Sequence, residues 1–512
     1  MWVFEIFNIL ALVILYILLL NHSLNIFQQY HYDVKKYIIS LPKLYVNNKL
    51  MWVIYIVTIF SLLTSPYLTI VNLILCLIVI IKPPKHIVKL KITKRIIRLV
   101  ITYFVFLMFL MLITFNHYTL FIFFNLLMPW LIICCNYLNY PIEKIINRHY
   151  IKQAKNKLCH NKSLIKIAIT GSYGKTTTKN IINHILKDDY LTVATPKSYN
   201  TLLGITRTIN ESIKPNSEIF ICELGTNHLG EIEEMTEFLN PHIACITAVG
   251  PQHLETFKSI DNVLKAKFEI TKTMGFNKSL VLNGDNHLIR NKRIITIRDI
   301  CYIGIDSIND IYAKDIEITK DNLTFTLVDN SNSIKIETKL LGIHNVYNIL
   351  IAYGVIKALK KYNIAITMDA FSQKIKQLSP VPHRLEYHRI DNVHIYDDSY
   401  NSNLNGFKNA IDVMKLTTHP RVIITPGIVD TGKMSEKINN EIANYLVNSF
   451  DDIYLINNKM SLYYRQVLDE HKQAYYVFDS FKEAFNHFKN KYKHEEVNLL
   501  IENDLPDNFL ER

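Results

Sequence analysis

The chain has 512 residues, 49% of them hydrophobic, with seven cysteines and a formal net charge of +12. This length exceeds a single domain, and the cysteines show no CxxC spacing, so they read as free thiols of a reducing compartment. Before residue 151 there are thirteen Lys/Arg against three Asp/Glu. The remainder is nearly balanced, and the positive surplus is no argument for nucleic-acid binding.

Residues 1–150 carry the apolar excess and read as a membrane region of about five helices. A first span covers 6–20. The run 51–81 is too long for one untilted span of about 20 residues and divides at Ser65-Pro66. Residues 99–115 and 119–138 supply another pair. Three spans with a re-entrant hairpin is the rival arrangement. Lysines and arginines at Lys35, Lys36, Lys43 and Lys49, and again from Lys82 to Arg98, lie on one side of these spans. By the positive-inside rule everything after residue 139 then faces the cytoplasm of a multi-pass cell-membrane protein, with membrane lipid as one partner.

From residue 160 short apolar runs alternate with helical periods, the pattern of a doubly wound α/β sheet. Ile165-Lys166-Ile167-Ala168-Ile169 reads as a buried parallel strand. Thr170-Gly171-Ser172-Tyr173-Gly174-Lys175-Thr176 follows and opens a helix to about Lys187. A glycine-containing turn between strand and helix leaves backbone N–H groups free to cradle phosphate. Gly171, Ser172, Gly174, Lys175, Thr176 and Thr177 are the nucleotide-binding candidates. Lys175 would reach the β- and γ-phosphates, and the Thr176 hydroxyl would ligate Mg2+. The common form of this loop has glycine at the position of Ile169, so the loop here is a shorter one.

Further strands are expected over 191–194, 218–223, 242–248 and 279–283, with a β-rich patch at 299–341 and a helix from there to about Lys361. Ser379-Pro380-Val381-Pro382 reads as a hinge. Strands at 393–397, 421–425, 452–456, 474–477 and 497–501 then form a second α/β domain. The fold class is thus a helical membrane region (1–150), a P-loop α/β central domain (151–378) and a Rossmann-like α/β C-terminal domain (379–512).

Two strand ends carry further chemistry. Glu223 closes the run 218–223 and is placed to bind Mg2+ beside the phosphate loop. His253 follows the strand-breaking Gly250-Pro251. On the next helix, Ile260, Val263, Leu264 and Lys267 fall on one stripe, so Lys267 takes a position that is ordinarily apolar. Periodicity alone favours a lysine whose stem packs while its ammonium escapes to solvent.

Glu223-Leu224-Gly225, Gly250-Pro251-Gln252-His253-Leu254-Glu255 and Ala266-Lys267-Phe268-Glu269-Ile270 resemble, in order and spacing, motifs of the Mur ligases. His344-Asn345-Val346-Tyr347-Asn348, Pro382-His383-Arg384-Leu385-Glu386 and Asp397-Asp398-Ser399-Tyr400-Asn401-Ser402-Asn403 continue the likeness, which covers about 165–512 and is closest to the branch that adds D-alanyl-D-alanine. The resemblance implies an ATP-dependent ligase that joins a carboxylate to an amine through an acyl phosphate. Lys175, His253 and Lys267 would be catalytic. Thr176, Glu223, His253 and Lys267, the last as a carbamate, would hold Mg2+. Asn345 and Asn348 would lie on the adenine side, and Arg384 and Asp398 would close on the nucleotide from the C-terminal domain. Ser198-Tyr199-Asn200-Thr201-Leu202-Leu203-Gly204 would be a substrate-side loop. The implied substrates are a muropeptide-like carboxylate, nucleotide- or lipid-linked, and an amino-acid or dipeptide amine, with no nucleic acid. The family's uridine-nucleotide-gripping first domain has its place taken by the N-terminal region, so another cell-surface polymer stays open as acceptor. A transport ATPase would also place a phosphate loop after spans, but no LSGGQ-type signature is present.

Overall fold

The computed structural model describes residues 2–42, 90–113, 127–295, 297–400, 403–429 and 434–502. They divide into two units, within 1–149 and within 150–504.

In the first unit the described helices are Trp2–Gln29, Val34–Leu41, Lys94–Ile113 and the start of Met128–His160. Tyr16, Phe27, Tyr37, Tyr103 and Ile132 belong to one buried cluster. Among the described residues no helix is long and apolar enough to cross a membrane. This corrects the expected membrane-spanning region and with it the multi-pass cell-membrane placement, and no described feature supports the lipid partner. Polar side chains within and beside the apolar stretches pair with one another. Gln29 Nε2 donates to Asn25 Oδ1 at 2.6 Å, Thr102 Oγ1 donates to Asn139 Oδ1 at 2.9 Å, and Arg98 pairs with Glu143 at 2.7 Å. The spans expected over 51–81, and residues 119–126 of the last one, lie outside the described residues.

The second unit holds two sheets. The first has nine strands, β1 (Ile165–Thr170), β2 (Thr192–Ala194), β3 (Ile219–Glu223), β4 (Ile243–Ile246), β5 (Ser279–Asn283), β6 (Asp299–Gly304), β7 (Ile311–Ile318), β8 (Leu323–Asp329) and β9 (Asn332–Thr338), in the order β2-β3-β1-β4-β5-β6-β7-β8-β9. It is parallel as far as β7 and antiparallel beyond. Strand alternation sends Ile167 and Ile169 to one face, against helices Lys175–Leu186 and His344–Leu359. Ala168 faces the other side, with Ile205, Ile232 and Val263 of three further helices. Burial on both faces explains the continuous apolar runs of the parallel strands.

The second sheet comprises β10 (Glu386–Ile390), β11 (Val393–Asp398), β12 (Arg421–Thr425), β13 (Asp452–Ile456), β14 (Tyr476–Phe478) and β15 (Val497–Glu502), ordered β10-β11-β15-β12-β13-β14. Only β10 runs antiparallel to its neighbour. Helices Leu404–Lys415, Ser435–Leu446 and Ser461–Glu470 bury one face of it. The segment 379–382 is irregular and connects the two sheets.

Candidate functional site

In the first sheet β1 is flanked by β3, which leads to the edge strand β2, and by β4, which leads the other way. The chain therefore switches direction at β1, and ligands of open parallel sheets bind beyond the carboxyl ends of strands at such a point. Gly171 to Gly174 turn there. Gly174 has φ +80°, and a Cβ on it would meet Asn348 Oδ1 at 2.4 Å. Both the left-handed backbone and the close approach require glycine. The loop is held from the segment that follows β4, where Ser172 N donates to Ala248 O at 2.7 Å and Gly250 N donates to Ser172 Oγ at 3.1 Å. Thr247 Oγ1 donates to Tyr173 O.

Lys175 opens the helix and folds back on the loop, donating to Gly171 O at 2.6 Å. Burial lowers its pKa to about 8, a shift opposed by Glu223 and reinforced by Arg384. Thr176 Oγ1 donates to Glu223 Oε2 at 2.8 Å, and Asn200 Nδ2 donates to Glu223 Oε1 at 3.0 Å. The register sets Glu223 beside Ile169 at the carboxyl end of β3, so strand pairing brings the carboxylate to the loop.

A second lysine completes this group. Lys179 Nζ lies 3.4 Å from Glu223 Oε2, with both side chains 1% exposed, and it also donates to Lys197 O at 2.5 Å. Its pKa is lowered by burial, against the pull of Glu223. Sequence reasoning passed over it. The available signal was its place one turn after Lys175 and three residues after Thr176, on the face that meets Glu223.

Lys267 lies in helix Ile260–Phe268 and is also 1% exposed. The ammonium does not reach solvent, contrary to what periodicity alone favoured. Burial and the nearby Lys175 hold its pKa well below the ordinary lysine value, against Glu231 and Glu269. Glu269 serves the backbone, accepting from Gly230 N at 2.7 Å and Glu233 N at 3.2 Å at the start of helix Glu231–Leu239. His253 takes φ +51° before the short helix Leu254–Phe257.

Asn345 and Asn348 lie behind the loop. Asn345 Nδ2 donates to Leu341 O at 2.7 Å, Asn348 Nδ2 to Asn345 Oδ1 at 3.0 Å, and Thr178 Oγ1 to Asn348 Oδ1 at 3.3 Å. His344 beside them is held near pKa 4 by burial and by Arg384.

From the second sheet, Arg384 has its guanidinium carbon 4.6 Å from the centre of the Tyr400 ring. Asp398 ends β11 and accepts from Leu385 N at 3.1 Å. Burial raises its pKa to about 7, against Arg384 and a hydrogen bond with Glu502, its register neighbour on β15. Ser172, Glu223, His253, Lys267, Arg384 and Asp398 all line one cleft of about 980 Å³, the size of a small-molecule site. Lys175, Thr176, Thr177, Asn345 and Asn348 line it too. A floor of buried cations with one bridging carboxylate suits a polyphosphate and a hard divalent ion.

Comparison with known proteins agrees with this geometry. Residues 169–356 match the Mur ligase middle domain, and residues 383–501 match the Mur ligase glutamate ligase domain. The chain is 31% identical over 286 residues to the UDP-N-acetylmuramoyl-tripeptide--D-alanyl-D-alanine ligase of Haemophilus influenzae, covering 55% of this chain and 61% of that one. It is 30% identical over 280 residues to the Escherichia coli enzyme of the same name, covering 54% and 61%. It thus spans about three fifths of the length of these relatives. In fold it is similar to MurF from Acinetobacter baumannii, with TM-score 0.62, 21% identity and coverage of 70% of this chain and 77% of that one. MurF ligase from Thermotoga maritima in complex with ADP gives TM-score 0.62, 20% identity and coverage of 70% and 80%. The two domain matches together span more than half of the chain, which belongs to the Mur ligase family.

Proposed function

We propose that the chain is an ATP-dependent ligase that joins the carboxylate of a nucleotide-linked muropeptide to the amine of D-alanyl-D-alanine, in peptidoglycan precursor synthesis. Residues 151–378 act as its ATP-binding domain and 379–512 as the domain that closes on the nucleotide. One observation carries this reading. A phosphate loop with a strand-end carboxylate faces, across a single cleft, an arginine and an acid from a second sheet.

A carboxylate is a poor acyl donor. Transfer of the γ-phosphoryl group to its oxygen gives an acyl phosphate and ADP. The amine nitrogen then attacks the carbonyl carbon, phosphate leaves with the C–O bond, and the nitrogen gives up a proton as the amide forms. Lys175 and the N–H groups of the loop hold the phosphates, and Arg384 adds charge from the opposite wall. Thr176 and Glu223 offer adjacent hard oxygen donors 2.8 Å apart, which fits Mg2+, and His253 completes the set. Bound there, Mg2+ supplies charge neutralisation for the crowded oxygens. Asn345 and Asn348 brace the loop from the adenine side. Lys267 is buried with its ammonium disfavoured, and a neutral amine is the form that takes up CO2. Its carbamate would face Lys175 as an anion and add a metal ligand.

The test measures phosphate release by the full chain with Mg-ATP, a UDP-linked muropeptide tripeptide and varied amines. Release that needs both the muropeptide and D-alanyl-D-alanine is expected. Release that ignores the amine would overturn the proposal.

A further inference from the structure

The strands that end at Asp398, which lines the cleft, and at its neighbour Glu502 carry a different cluster at their opposite ends. His394 lies near the start of β11, His419 just before β12, and Glu496 just before β15. These three strands are neighbours, and Asp398 lies four positions beyond His394 along β11, about 13 Å at 3.3 Å per residue.

One ring nitrogen of His394, one of His419 and one carboxylate oxygen of Glu496 all lie within 4.8 Å of one another. The two imidazoles stack with centroids 5.7 Å apart and planes at 12°. His419 Nε2 is 3.0 Å from Glu496 Oε2. His394 is 7% exposed, and its Nδ1 is 2.8 Å from the Tyr387 hydroxyl. Its Nε2 is buried and has no hydrogen-bond partner among the described residues. Buried polar atoms are nearly always satisfied, so an orphaned imidazole nitrogen beside a second imidazole and a carboxylate asks for a ligand.

We propose that His394 Nε2, His419 and Glu496 bind one divalent transition-metal ion, with Zn2+ the best match. Two imidazoles and one carboxylate suit zinc and are a poor set for Mg2+ or Ca2+. Tetrahedral bonds of about 2.0–2.1 Å put donor atoms about 3.3 Å apart. Donors within 4.8 Å reach that spacing through rotation of the half-exposed His419 and Glu496, without movement of the sheet. The surroundings orient the donors. In the tautomer with the proton on Nδ1, His394 donates to the Tyr387 hydroxyl and keeps the Nε2 lone pair for the metal, and Arg389 Nη2 donates to Glu496 Oε1 at 2.8 Å, leaving Oε2. Water takes the fourth position. The ion ties β11, β12 and β15 together at the end away from the cleft, so it stabilises the C-terminal domain and takes no part in the reaction.

The experiment uses the full chain in excess Mg2+, with Zn2+ titrated against a chromogenic chelator and melting followed in parallel. One zinc per chain and a zinc-dependent rise in Tm are expected, both retained in Glu223→Gln, which alters the cleft. His419→Ala and Glu496→Gln change exposed side chains and should each weaken zinc binding more than about tenfold and remove the rise in Tm. Their Mg-ATP-dependent phosphate release should be unchanged. Zinc uptake equal to the parent in both variants, zinc lost in Glu223→Gln, or no zinc taken up by the parent would each overturn the site.

Discussion

The two walls of the cleft bury opposite charges. On the nine-stranded wall Lys175, Lys179 and Lys267 are enclosed, with Glu223 paired to Lys179, and burial lowers all three lysines. On the six-stranded wall Asp398 and Glu502 are enclosed together, and burial raises Asp398. Arg384 acts on both, depressing Lys175, Lys179 and His344 while favouring ionised Asp398. On each wall burial thus shifts the ionisable groups toward their neutral forms, the lysines downward and Asp398 upward. The difference teaches that the cationic wall is arranged for an anionic ligand, whereas the acidic wall gains from keeping a proton.

The sharpest way to break this contrast is to remove the cationic wall's contact with phosphate. Lys175→Ala and Glu223→Gln should each lower amine-dependent phosphate release by about 10²–10³-fold with the fold retained by circular dichroism. Near-normal turnover in either variant would leave the wall without its assigned role. Lys267→Ala tests whether that lysine serves as an anion. Turnover should fall about 10²-fold and recover in part when acetate supplies a replacement carboxylate. An active variant indifferent to acetate would reduce Lys267 to packing.

Lys179→Met asks how far the wall supports folding as well as chemistry. Removing one partner of a buried pair costs about 3–5 kcal/mol. Glu223 keeps Thr176 and Asn200, so the low end of that range is expected in urea denaturation. The acidic wall is tested through its pH dependence. A carboxyl whose folded pKa is raised to about 7 favours the fold fully below its ordinary value and loses that contribution as pH rises through 7. Asp398→Asn stays neutral, so its stability relative to the parent should improve between about pH 4 and 7, by at most ~1.4 kcal/mol per pH unit. Parallel pH profiles of melting would show that Asp398 does not hold the proton.

Most of this architecture was legible in the sequence because parallel strands buried on both faces leave unbroken apolar runs. The runs at 165–170, 279–283, 421–425 and 452–456 coincide with strands β1, β5, β12 and β13. β10 was missed because it is a half-exposed antiparallel edge whose Tyr387, His388 and Arg389 give no apolar signal. Lys179 was missed because a lysine in a polar helix start reads as solvent-facing, and only strand pairing brings Glu223 over it. The N-terminal region misled in the other direction. Its hydrophobicity resembled spans, while the polar residues that flank the apolar runs, Asn25, Gln29, Asn139 and Glu143, are paired within the helical unit.

The absent side chain at Gly174 has a mechanical consequence. Asn348 occupies the space a Cβ would need, so the phosphate loop and helix His344–Leu359 are meshed like a tooth in a gear. That helix lies over Val281 of β5 and Ile303 of β6 in the same core. Any displacement of the loop by a triphosphate must therefore be shared with the helix. Gly174→Ala would drive a methyl group into Asn348 and force the loop and the helix apart.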